Sequence, residues 1–114
     1  MARIVKGGLI QCSSTHSGAE DPKTIASAMH EKAMGFIEEA GTQGVQVLCL
    51  QELYNGPYFC AEQETRWYDI TEPIPDGPTT QLMCETAKRL GMVLVVPIYE
   101  MDLPGLYYNT AAVI

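Results

Sequence analysis

Positive charge is scarce in this sequence. Seven Lys and Arg stand against fourteen Asp and Glu, a formal net charge of −7. Such a surface repels phosphate backbones and anionic lipid, so no nucleic-acid partner and no membrane partner is expected. Histidine is nearly absent as well, with only His16 and His30. No His, Cys or Asp stands at zinc-ligand spacing from His16, so that residue reads as a solvated loop histidine and no metal is expected. Long apolar runs are missing, and none approaches the roughly 18 residues that would suggest a membrane span. The first residues, MARIVK, lack the apolar core and small-residue cleavage site of a secretory signal. There is no CxxC pair among Cys12, Cys49, Cys60 and Cys84. Reduced thiols and a cytoplasmic location are therefore the expectation. Neither GxGxxG nor GxxxxGK[ST] occurs, which argues against dinucleotide and P-loop phosphate binding, and no cofactor is indicated.

What is present is enough apolar material for a core: 46% of the 114 residues are hydrophobic, about one small domain in length. Residues 3–12 read as a first strand. Asp21-Pro22 supplies a capping carboxylate before a proline at the first helical position. Ile25, Met29, Ala33, Phe36, Ile37 and Ala40 then recur at three- and four-residue spacing, with Gly41 placed to end the helix in a left-handed conformation. Residues 45–50 (VQVLCL) form a second strand. Residues 51–77 show no period and carry the breakers Asn55-Gly56-Pro57 and Pro73 to Pro78. A second helix is predicted from Pro78 to Gly91, facing inward with Leu82, Met83, Ala87 and Leu90. Residues 92–98 (MVLVVPI) read as a buried strand. Residues 107–114 form a fourth strand, reached through Asp102-Leu103-Pro104-Gly105.

The order is β-α-β-loop-α-β-β, an α/β fold with right-handed crossovers and a mostly parallel sheet. The last connection is short enough for a hairpin, so the fourth strand is free to run antiparallel. Residues 109–114 (NTAAVI) bring the sequence to a close inside an apolar strand. Residues 1–114 are therefore expected to be the N-terminal portion of a single longer domain, truncated after that strand. A piece standing alone is expected to be inactive and prone to associate through an unpaired edge.

In a parallel sheet, ligand sites lie beyond the carboxyl ends of the strands. Glu52 directly follows the second strand, and a long loop with Tyr54, Tyr58, Phe59 and Trp67 follows it. A carboxylate roofed by those aromatics would be partly desolvated and poised as a general base. The competing reading is a surface glutamate that happens to follow a strand. Glu100 is open between a supporting carboxylate and an ordinary exposed one. Asn109 is expected to bond backbone. Cys49 and Cys84 read as packing residues; for Cys12 and Cys60 an inert thiol is the better reading and a thiol lining the site the alternative, with Cys60 the stronger of the two candidates. Lys32 and Lys88 belong to solvated helix faces. Tyr58 and Trp67 either wall a pocket or anchor the loop.

The stretch VQVLCLQELYNGPYFC, residues 45–60, resembles the first signature of the nitrilase superfamily of carbon–nitrogen hydrolases. Asp76-Gly77-Pro78-Thr79-Thr80, Pro97-Ile98-Tyr99-Glu100 and Tyr108-Asn109-Thr110-Ala111 resemble its next helix start and strands, in the right order. Tyr58-Phe59-Cys60 and DGPTT look most like the branch of N-carbamoyl amide hydrolases, among them the β-ureidopropionases and N-carbamoylputrescine amidases. The resemblance implies the N-terminal half of an αββα sandwich and a Glu-Lys-Cys triad. Glu52 matches its glutamate, Tyr58 is a candidate substrate contact, and the lysine and cysteine lie beyond residue 114. It also implies a small-molecule substrate of the N-carbamoyl amine or amino acid type, and a homo-oligomer. An ω-amidase or nitrilase of the same superfamily, or a non-catalytic α/β binding module, remain as alternatives.

Overall fold

The computed structural model describes residues 1–114. Strand β1 covers Gly7–Leu9, helix α1 Pro22–Thr42, strand β2 Val47–Cys49, helix α2 Pro78–Leu90, strand β3 Val93–Leu103 and strand β4 Leu106–Val113. One sheet holds all four strands in the order β1-β2-β3-β4. The first three are parallel, and β4 returns antiparallel to β3 as a hairpin, as the short connection allowed.

Sequential strands joined by right-handed crossovers must carry both helices on the same face. The core confirms this placement. Ala33 and Ile37 of α1 and Met83 and Ala87 of α2 pack with Leu48, Leu94, Val96 and Ile98 of the sheet. Along β3 these buried residues alternate with exposed Val93 and half-buried Val95 and Pro97. The second face of the sheet is thus apolar and uncovered, with Leu9, Val47, Val93 and Val113 exposed on the strands. No helix is long and apolar enough to cross a membrane.

The helix starts follow the sequence closely. Asp21 accepts a hydrogen bond from the Thr24 amide at 3.0 Å, ahead of Pro22. Gly91 closes α2 with φ +63°. The first helix departs from expectation at its other end, running through Gly41 to Thr42 while Gly44 takes the left-handed conformation (φ +72°). Gly41 has a different duty: a Cβ there would stand 2.9 Å from a methyl of Leu90, so the glycine permits the two helices to approach.

Three further expectations need correction. β1 is three residues rather than ten, and residues 3–6 are exposed. Leu82 is exposed, and Thr79, Thr80 and Thr86 are buried in its stead. A hydroxyl tolerates burial on a helix by bonding back to the preceding turn, as Thr86 does to the Leu82 carbonyl at 2.9 Å. Cys84 lies exposed on the outer side of α2, and Cys49 is only half-buried because its side chain falls on the uncovered face.

The segment 51–77 is ordered by its own small core. Two 3₁₀ turns, Phe59–Ala61 and Thr65–Ile70, bring Phe59, Trp67 and Ile70 against Ile25 and Met29 of α1 and against Leu53. Trp67 anchors this loop. Its indole N–H donates to Glu62 at 3.1 Å, and Arg66 lies 4.3 Å from its ring centre while donating to the Gly18 and Glu20 carbonyls. The loop then rejoins the sheet. The Glu72 amide donates to Tyr99, the Met101 amide donates to Glu72, and the Glu72 carboxylate accepts from the backbone and hydroxyl of Thr79 at 2.8 and 2.6 Å. Glu72 thereby satisfies a free amide in the first turn of α2.

Gly77 is required by that closure. A Cβ at this position would sit 2.4 Å from the Pro73 carbonyl oxygen and 3.0 Å from Glu72. Gly77→Ala is expected to destabilise the protein by ~1–3 kcal/mol, as overpacking against backbone does. Gly18→Ala, which meets nothing within 4 Å, is the control and should be neutral. Urea denaturation of the two variants checks the difference.

Candidate active site

Strand β2 ends at Cys49, but its pairing continues briefly: the Leu50 amide donates to Val95 at 3.0 Å and the Tyr54 amide to Pro97 at 3.3 Å. Between them the Gln51 side chain accepts from the Cys12 amide at 2.6 Å, tying the ends of β1 and β2 together. Leu53 follows with φ +48°, a left-handed conformation that a leucine adopts at a cost. Its side chain is nonetheless buried, so tertiary packing over-determines the turn. The chain reverses sharply here, and Glu52 is left at the carboxyl end of the sheet.

Glu52 is exposed in this chain. The expected aromatic roof is not over it. Tyr54 packs into the helix-side core, Phe59 and Trp67 pack around Leu53, and Tyr58 is 67% exposed. The left-handed turn is the physical reason, because it directs the residues after Glu52 down against α1. What holds Glu52 is Asn109. The Asn109 side-chain amide donates to Glu52 Oε1 at 2.7 Å. Asn109 pairs with Tyr99 across the hairpin, which puts both on the face opposite Glu100 and Thr110, where Phe59 of the loop packs against Tyr99 at 4.7 Å between ring centres. Sequence reasoning had assigned Asn109 to backbone bonding. The available signal was its strand register, which needs the hairpin tip to be counted.

The remaining candidates fall elsewhere. Glu100 points to the helix side and accepts from the Thr110 hydroxyl at 2.5 Å, with no link to Glu52. Among the cysteine thiols, that of Cys49 has a partner, the Leu50 carbonyl, while Cys12 is half-buried and Cys60 exposed. Lys32 reaches across to the Ser13 carbonyl at 2.8 Å. His16 bonds Thr15 and lies 3.9 Å from Glu20. No three His, Cys, Asp or Glu side chains converge to hold a metal.

A cavity of about 590 Å³ lies between α1 and α2, lined by His30, Glu31, Glu72, Thr79 and Leu82 among others. It does not include Glu52. Both Glu72 oxygens are engaged by Thr79, and Tyr54, buried beside it, meets His30 Nδ1 through its hydroxyl at 2.9 Å. Burial pushes the Tyr54 phenol well above its ordinary value, with the Glu72 charge adding to the effect. Burial also holds His30 below its usual value, and the nearby Glu72 carboxylate only partly offsets this. The pair is thus a neutral anchor, which pins the backbone two residues beyond Glu52.

A family model for carbon-nitrogen hydrolases matches residues 8–114. The chain is 36% identical over 114 residues to a beta-ureidopropionase of Arabidopsis thaliana, covering 98% of this chain and 28% of that protein. It is 39% identical over 92 residues to an omega-amidase of Bos taurus, covering 79% of this chain and 31% of the relative. The chain therefore spans less than a third of these relatives' lengths. The crystal structure of a carbon-nitrogen hydrolase from Helicobacter pylori G27 superposes with a TM-score of 0.70 at 22% identity, covering 96% of this chain and 35% of that one. This last likeness establishes the fold.

The His30–Tyr54 anchor has a pH signature. Its folded-state affinity for a proton lies below that of a free histidine, whose value is 6.5. As pH falls below that value the unfolded chain takes up the proton first, so stability is full above it and declines on acidification. Denaturation midpoints measured between about pH 7 and 5 are expected to fall for the native protein. They should fall less for His30→Asn, which has no imidazole to protonate.

Proposed function

The chain belongs to the carbon–nitrogen hydrolase family of the nitrilase superfamily, and from that premise we propose that Glu52 is the general base of a hydrolase acting on N-carbamoyl amines or amino acids. The observation that carries this reading is the position of Glu52. It stands at the carboxyl end of a parallel strand, where the Asn109 side-chain amide donates to one of its oxygens.

In this mechanism Glu52 accepts the proton of a cysteine thiol supplied by chain outside these 114 residues. The thiolate attacks the carbamoyl carbonyl carbon, and a lysine from the same outside region stabilises the oxyanion. The tetrahedral intermediate collapses with loss of its nitrogen leaving group, which is protonated as it departs. Glu52 then deprotonates the water that hydrolyses the acyl-enzyme. Tyr58, exposed at the start of the Phe59–Ala61 turn, is assigned to contact the substrate. The 36% identity to a beta-ureidopropionase over nearly the whole chain supports N-carbamoyl-β-alanine as the first substrate to try. The 39% identity to an omega-amidase favours a second reading, a short ω-amide. The assembly assigned with this function is a homo-oligomer, which sedimentation of the full-length protein tests.

In the full-length protein, Glu52→Gln is expected to lower kcat by about 10²–10⁴-fold, the usual worth of a positioned acid–base group, with the fold intact by circular dichroism. Undiminished turnover in that variant would remove Glu52 from the chemistry. Turnover of the ω-amide without N-carbamoyl-β-alanine would move the substrate assignment to the second reading.

A further inference from the structure

We propose that Asn109 is a positioning residue for the reaction: by occupying one oxygen of Glu52 it determines that the other oxygen is the proton acceptor, and it fixes where that oxygen stands. The inference rests on the reading of Glu52 as the general base, and it adds a residue on a different strand to that machinery.

Donor and acceptor are gauged by the same strand from opposite sides. On one side of β3, the Leu50 and Tyr54 amides bond Val95 and Pro97, and the left-handed Leu53 between them fixes the direction in which Glu52 leaves the backbone. On the other side, Asn109 is held in β4 by an unbroken register from Val95↔Val113 to Met101↔Tyr107. The side chains of Glu52 and Asn109 then meet across β3 at 2.7 Å. A glutamate has three side-chain torsions and, at an exposed position, many rotamers to choose from. A hydrogen bond from a strand-mounted amide selects among them.

The chemistry of the donor matters as much as its place. An Asn amide stabilises the charged carboxylate without supplying a counter-charge. A Lys or Arg at the same position would hold the carboxylate ionised so firmly that it would be a poor proton acceptor. An Asp would set two carboxylates side by side, and one of them would keep a proton. Asn engages Oε1 of Glu52 and leaves the other oxygen without a side-chain donor from this chain.

The test uses the full-length protein and the substrate it turns over, comparing wild type, Asn109→Ala, the near-isosteric Asn109→Asp, and Glu52→Gln. Asn109→Ala is expected to lower kcat by about 10–100-fold through misplacement, with KM changed by no more than about threefold. The acidic limb of its kcat/KM profile should move to higher pH, because a hydrogen bond to the charged form has been lost. Asn109→Asp should move that limb further the same way. A merely structural asparagine would lower the melting temperature and leave the acidic limb where it was in Asn109→Ala. That result, with kcat near wild type in folded protein, overturns the proposal. If Glu52→Gln is also fully active, the general-base reading falls with it; if Glu52→Gln is inactive, only the role of Asn109 falls.

Discussion

Handedness governs this molecule before any side chain does. Three parallel strands laid down in sequence order, each linked by a right-handed crossover, force α1 and α2 onto one face of the sheet. The hydrophobic core follows from that, since Leu48, Leu94, Val96 and Ile98 have helices to pack against while Val47, Val93 and Val113 do not. The same winding brings the carboxyl ends of β1, β2 and β3 to one end of the sheet. Glu52 belongs to that end, and the N-terminal turns of α1 stand beside it.

The placement of Glu52 in this chain is a matter of backbone geometry more than of burial. The left-handed Leu53 costs conformational energy, and the burial of its side chain with Phe59, Trp67 and Ile70 offsets it. One residue on, Tyr54 is fastened to His30 from beneath. Glu52 is therefore restrained on both sides: by a core that will not let the turn relax, and by an amide on the neighbouring hairpin. The aromatic residues contribute by rigidifying the turn, a less direct service than shielding the carboxylate.

Much of this was legible in the residues themselves. Asp21-Pro22 and Pro78 to Gly91 marked helix ends because capping is local chemistry, decided within four residues. The strand order and the hairpin followed from connection lengths. Glu52 was singled out because a carboxylate directly after an apolar strand is conspicuous, and because the surrounding stretch resembles a known signature. What escaped was set by distant parts of the chain. Gly41 looks like a helix terminator until Leu90 is seen against it. Leu82, expected to face inward, is exposed while Thr86 is buried, because helix orientation is decided by the sheet beneath, not by hydropathy alone. Asn109 is 57 residues from its partner Glu52, and no local pattern announces such a pair.

The β3–β4 hairpin has an irregularity of one residue at its tip, between Met101 and Leu103, after which every pair up to Val95↔Val113 is in step. Side chains alternate faces along a strand, so parity at the tip decides which of two neighbouring residues meets Glu52. An odd change in tip length that slid the return strand by one would carry Asn109 to the helix side and present Thr110 or Tyr108 in its place. A slide by two would keep the parity and offer Tyr107 or Ala111. The hairpin tip thus works as a selector for the group set against the carboxylate, and descendants of this fold that vary its length would vary that group along with it.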